Sequence, residues 1–254
     1  MNIRTLFFAG FVFALVAGAS VAQAQQENPR TGAPASWKPP VDDAMLANFF
    51  QVDRAEFVLG QGNTRYLWDT QGWIGTDYQK LWVKFEGEGD FNSRLEGAEL
   101  QGLYSRMIAP FFDFQAGIRQ DVGPDIKPTT YAVVGIQGLA PQWFEVDSAI
   151  FLSEDGDFTA RIEAEYEVFF TQRLIGQPRA EVNFAAQDVQ ALGIGAGLST
   201  VELGFRLRYE IKREFAPYIG VAWQSAVGDT ADFRRLAGEH ASSTSFVAGI
   251  RLWF

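Results

Sequence analysis

The stretch Val201-Glu202-Leu203-Gly204-Phe205-Arg206-Leu207-Arg208-Tyr209-Glu210-Ile211-Lys212 decides how the rest of the chain is read. Every odd position is aliphatic or aromatic, and every even position except Gly204 is charged. A helix would scatter those charges around its circumference, whereas a strand sends successive side chains to opposite faces. One face of this strand is therefore apolar and the other ionic. Phe158 to Val168 repeats the pattern, with Ala160, Ile162, Ala164, Tyr166 and Val168 alternating with Arg161, Glu163, Glu165 and Glu167. Leu81, Val83 and Phe85 alternate in the same way with Trp82, Lys84, Glu86 and Glu88.

From Phe49 onward the period is two throughout. Twelve segments carry it, centred on Arg54–Gly60, Arg65–Gly75, Lys80–Glu88, Arg94–Ser105, Phe111–Arg119, Thr129–Leu139, Gln142–Leu152, Phe158–Phe170, Gln177–Phe184, Thr200–Lys212, Pro217–Ser225 and Thr244–Phe254. Each strand with its connection takes roughly 17 residues, which suits a meander of tilted membrane strands. The long connections, Gln120–Pro128, Ala185–Ser199 and Ala226–Ser243, all follow odd-numbered segments and so lie at one end. Connections after even segments are short, such as Thr76–Gln79 and Ala140–Pro141. Short turns on one side and longer loops on the other are a habit of outer-membrane barrels. The chain also finishes on an alternating strand with a terminal aromatic, Phe246, Ala248, Ile250, Leu252 and Phe254. The fold expected is all-β: a transmembrane antiparallel up-and-down β-barrel of about twelve strands over residues 49–254. An even strand count places both termini in the periplasm.

The composition agrees. Of 254 residues 47% are hydrophobic, yet no stretch after the N-terminus approaches 18 consecutive apolar residues. That excludes a helical membrane protein but not a barrel, whose strands need only about 9–11 alternating residues. At the N-terminus, Arg4 precedes an apolar run from Leu6 to Ala19 and the triplet Ala22-Gln23-Ala24. This reads as a secretory signal peptide over residues 1–24. Its removal takes away Arg4, its one charge, and moves the net charge from −10 to −11. Residues 25–48, with Pro29, Pro34, Pro39 and Pro40, read as a flexible periplasmic tail.

Zero cysteines exclude a disulfide scaffold, a zinc ribbon, a thiolate copper site and a cysteine nucleophile. A single histidine excludes any site that needs several imidazoles from one chain. The acidic balance argues against nucleic acid as a partner. In a membrane barrel the apolar face meets outer-membrane lipid, and the ionic face lines the lumen. The lumen wall would then hold Arg54, Glu56, Lys84, Glu86, Glu99, Asp113, Arg119, Glu145, Asp147, Arg161, Glu163, Glu165, Glu167, Arg179, Glu181, Glu202, Arg206, Arg208, Glu210 and Arg251. Such a wall can neutralise itself through salt bridges, or it can offer cations a path of carboxylates. A serine–histidine hydrolase would have to use His240, which sits in Gly238-Glu239-His240-Ala241-Ser242-Ser243 without any catalytic motif. The chain is not expected to be an enzyme.

Several stretches have a family look. They include Tyr104-Ser105-Arg106 leading into Pro110–Arg119, Gly135–Pro141 followed by Trp143-Phe144-Glu145-Val146, and Gln177-Pro178-Arg179-Ala180-Glu181. The most specific is Arg206–Ile211 running into Arg213-Glu214-Phe215-Ala216-Pro217-Tyr218-Ile219-Gly220. Together, and collinearly over about residues 50–254, they resemble the copper resistance protein B family of Gram-negative outer membranes. The resemblance implies an outer-membrane barrel of copper tolerance, which binds copper ions or passes them across the membrane beside a periplasmic multicopper oxidase. Many members carry a Met- and His-rich segment before the barrel. This chain departs there, since residues 25–48 contain no histidine and only Met45. Cu(I) prefers thioether, thiolate and imidazole, so storage of many ions is chemically implausible. The candidate ligands are Met45, Met107 and His240, with the lumen carboxylates Glu163, Glu165, Glu167 and Asp113 behind them. The alternative is a general small-solute pore or a structural barrel with no specific metal role.

Overall fold

The computed structural model describes residues 45–60, 64–91, 95–124 and 127–254. The signal peptide and most of the proposed tail fall on residues 1–44, outside the described residues. The strands are β1 Ala47–Leu59, β2 Thr64–Gly75, β3 Gln79–Asp90, β4 Leu95–Ala109, β5 Phe112–Val122 and β6 Thr129–Ala140. They continue with β7 Phe144–Ser153, β8 Phe158–Glu165, β9 Leu174–Ala185, β10 Gly197–Tyr209, β11 Phe215–Ala226 and β12 Ser242–Trp253. A two-residue piece, Val168–Phe169, pairs with β9 just as β8 does and is the continuation of β8. Each strand is hydrogen-bonded antiparallel to the next, and β12 pairs with β1. The sheet is thus a closed twelve-strand ring without edges.

All twelve expected strands are present, and the differences lie at their ends. β1 begins at Ala47, two residues inside the stretch read as tail and well before Arg54. A bulge between Val52 and Arg54 hides this in the sequence. It turns the adjacent Asp53 and Arg54 both inward, so the period of two slips by one residue. β5 and β7 start one and two residues later than expected. Phe111, Gln142 and Trp143 are taken up by turns with φ of 68°, 66° and 68°. β8 breaks at Tyr166–Glu167, opposite Pro178 of β9, which has no N–H to donate to the ladder. There Tyr166 N donates to Pro178 O at 3.1 Å.

The two ends differ as the connection lengths imply. Turns after even strands, residues 76–78, 110–111, 141–143, 170–173 and 210–214, are short. The longest connections, 186–196 and 227–241, share the other end. The second of them contains α1, Gly228–Leu236, where only loop was expected. It packs on the first through Gly195, whose N–H donates to Thr230 Oγ1 at 2.9 Å. A Cβ on Gly195 would lie 2.5 Å from Asp229 Cβ, so only glycine permits this approach.

Burial is inverted relative to a water-soluble protein. Phe246 is 69% exposed on the outer face, while Arg206 and Arg208 are 4% exposed inside. Leu81, Val83, Ile118, Val134, Leu203 and Ile219 extend the apolar outer belt. Aromatic groups border it at both rims: Phe57–Phe91–Tyr66 near the loop end, and Phe50–Phe254 and Phe144–Tyr166 near the turn end. Such girdles sit where a barrel meets the two membrane–water interfaces. No helix among the described residues is long and apolar enough to cross a membrane. Strands make the crossing.

Candidate functional site: the charged lumen

The ionic face of each strand points inward, so any site must be built on the lumen wall. Long side chains from neighbouring strands meet there because the apolar residues alternating with them face lipid. The resulting ion pairs are dense. Arg179 on β9 is 2% exposed and reaches four carboxylates: Glu163 at 2.6 Å, Glu181 at 2.6 Å, Glu202 at 2.9 Å and Glu165 at 3.3 Å. Arg206 on β10 clasps Glu56 of β1 with two donors, Nε to Oε1 at 2.6 Å and Nη2 to Oε2 at 3.2 Å. Arg54 binds Asp69 at 3.0 Å, and Arg251 meets Asp53 at 3.0 Å and Glu167 at 3.1 Å. Buried charges persist only when paired in this way.

Some pairs cross the lumen. Lys84 of β3 bonds Asp147 of β7. Arg161 of β8 reaches Glu86 of β3 at 3.4 Å and Glu99 of β4 at 3.0 Å. Apolar side chains also enter the lumen on one side, where Leu103, Tyr131, Val133 and Phe151 form a buried cluster with Trp82 and Ala149 against it. Phe49 lies near Trp73 and Trp253 on the inner wall at the turn end, with ring centroids 6.4 and 6.3 Å apart.

Glycine makes room for the guanidinium groups. A Cβ on Gly204 would stand 2.3 Å from Arg206 Nη1 and 3.9 Å from Arg179 Cβ. Gly204→Val is therefore expected to displace Arg206 from Glu56 and destabilise the barrel by about 2–4 kcal/mol. Urea unfolding of the refolded barrel checks this. Gly204→Ala should lose less, since a single methyl needs a smaller shift.

The candidate ligands are distributed as follows. Met107 lies on the inner face of β4 near the turn end, directly opposite Asp113 of β5 in the register. Asp113 accepts from Lys80 Nζ at 2.6 Å and from Ser105 Oγ at 3.1 Å. Met45 precedes β1 at the same end and is exposed. His240 is exposed after α1 at the loop end, on the far side of the barrel from both methionines. Glu163, Glu165 and Glu167 line up along β8, each already engaged: Glu163 by Arg179, Glu165 by Gln177 at 2.6 Å, and Glu167 by Arg208 at 2.5 Å. Among the described residues, no three His, Cys, Asp or Glu side chains converge to hold a metal ion. Sequence reasoning missed Asp53, Asp69 and Lys80 as lumen groups. The bulge conceals Asp53, and Asp69 follows the unalternating run Tyr66-Leu67-Trp68.

A closed antiparallel ring with an apolar outside and a charged inside is a membrane-spanning barrel of the outer-membrane type. The NanC porin shares this fold, at a TM-score of 0.53 and 10% identity, the match covering 80% of this chain and 98% of that one. The family described as Copper resistance protein B precursor (CopB) matches residues 46–254, and the chain belongs to that family. Copper resistance protein B of Escherichia coli is 42% identical over 214 residues, 84% of this chain and 72% of the relative. The Copper resistance protein B homolog of Pseudomonas syringae pv. tomato (strain ATCC BAA-871 / DC3000) is 40% identical over 214 residues, 84% of this chain and 72% of that relative.

Proposed function

We propose that this outer-membrane barrel serves copper tolerance by binding copper ions or passing them across the outer membrane, as part of periplasmic copper homeostasis. One observation carries the reading: 42% identity to a copper resistance protein B over 214 residues, 84% of this chain. The role is non-enzymatic. In this reading residues 1–24 are the signal peptide, the stretch read as tail (residues 25–48, of which β1 takes the last two) is periplasmic, and both termini lie on the periplasmic side with the short turns. A periplasmic multicopper oxidase is the partner that would handle copper at that mouth.

The donor set suits a few ions. The Met107 thioether, with the Asp113 carboxylate across the ladder, offers one soft and one hard donor at the periplasmic end. Met45 adds a second thioether at the same end, and His240 can act only separately. A second reading, a small-solute pore or structural barrel, is favoured by the lumen carboxylates already having cationic or amide partners.

Titration of the refolded barrel with Cu(I) and with Cu(II) separates the two. Cu(I) binding that weakens about tenfold in Met107→Leu or Met45→Leu, a loss of roughly 1.4 kcal/mol, supports the copper reading. No binding of either ion, together with unchanged copper tolerance on gene deletion, overturns it.

A further inference from the structure

The cross-lumen contacts have a geometric consequence. Strands about 4.8 Å apart and tilted by about 40° close twelve-fold into a round wall roughly 24 Å across. On such a wall β3 and β8, five positions apart in the ring, would stand roughly 23 Å from each other. An arginine and a glutamate meeting end to end span only about 15 Å between Cα atoms, at about 1.5 Å per bond. Yet Arg161 of β8 touches Glu86 of β3. The wall is therefore drawn inward along this axis. Lys84 and Asp147, joining β3 to β7, require the same flattening independently.

The tie has fixed surroundings. Glu99 takes Arg161 Nη2 at 3.0 Å and Arg119 Nη2 at 2.8 Å, so one carboxylate holds two guanidinium groups. Both guanidinium carbons lie over the Phe151 ring, 4.7 Å away for Arg119 and 5.7 Å for Arg161. On the β4–β8 side of the tie the lumen is filled by Phe151 and its apolar neighbours. The cavity beside the tie, bordered by Lys84, Glu86, Asp147 and Arg161, holds about 30 Å³, room for a water or two. The other side, from β9 round to β2, is lined by charged groups.

We infer that the strap centred on Arg161, clamped between Glu86, Glu99 and Phe151 with the Lys84–Asp147 tie beside it, shuts this barrel to ions and small solutes. Permeability is set by this strap and not by strand number. This does not depend on copper being the cargo.

Conductance of the full barrel in planar lipid bilayers, in potassium chloride without copper, tests the inference. Wild type should stay nearly closed, and Arg161→Ala should conduct about fivefold more or better, as expected when a constriction in a pore is removed. Lys127→Ala, which breaks only an exposed loop pair with Asp155, should match wild type. If Arg161→Ala does not fold, as judged by the loss of its heat-dependent gel shift, the double variant Glu86→Gln and Glu99→Gln loosens the strap at constant volume and should conduct in the same way. A wild type that already conducts as freely as the variants overturns the inference, as does a folded strap variant that conducts no more than wild type.

Discussion

Arg179→Ala is expected to destabilise the barrel by at least about 3–5 kcal/mol, the range for removing one partner of a buried ion pair. The reason lies in the number of groups that depend on it. Arg179 is the common partner of Glu163, Glu165, Glu181 and Glu202, which come from three adjacent strands. Without the guanidinium these carboxylates face one another on a wall where water is scarce. Arg54 at 3.9 Å from Glu202 and Arg161 at 3.8 Å from Glu181 are the nearest remaining cations. Urea unfolding of the refolded protein, followed by tryptophan fluorescence, reads the loss. Arg179→Lys should fall between the two, because an ammonium keeps the charge but cannot serve several carboxylates through a rigid fork. Equal stability of Arg179→Ala and wild type would mean that the cluster is hydrated and contributes little.

Glu56→Ala is the second large effect, at about 3–5 kcal/mol. The side chain of Glu56 is 1% exposed and that of Arg206 5%, and the two are joined by two hydrogen bonds across three strand positions. Truncating the carboxylate strands a guanidinium inside the wall, where among the described residues no other carboxylate pairs with it within 4.0 Å. The double variant Glu56→Leu with Arg206→Met should recover most of the stability, since removing both charges also removes their desolvation. A double-mutant cycle between the two positions measures the coupling directly. Additive single losses would show that the pair is energetically uncoupled despite its geometry.

Most of the fold can be read from the chain. Val201–Lys212 gives its strand, its face and its depth at once, because membrane and lumen demand opposite chemistry from alternate residues. β1 was only partly legible: the bulge at Val52–Arg54 breaks the period that identifies the other strands. The wall inventory was also largely readable, but the partners were not. Glu56 and Arg206 lie 150 residues apart, and Lys84 and Asp147 lie 63 apart. Only closure of the ring brings them together, and nothing local in either segment encodes it. The same holds for the ligands. Met107 and Asp113 are six residues apart and meet through the β4–β5 turn, whereas His240 is separated from both by the height of the barrel.

The β1–β12 seam bears on how the chain acquires its structure. Phe50 and Phe254 exchange both backbone hydrogen bonds, at 3.1 and 2.8 Å. That ladder joins residues roughly 200 positions apart, the type of contact that forms late and slowly. The eleven hairpin-like pairings between can zip locally, but each leaves two bare edges until the last strand arrives. Shortening the chain by β12 would thus do more than remove one strand in twelve. It would leave β1 and β11 as permanent open edges, and the expected product is an aggregating sheet in place of a smaller barrel.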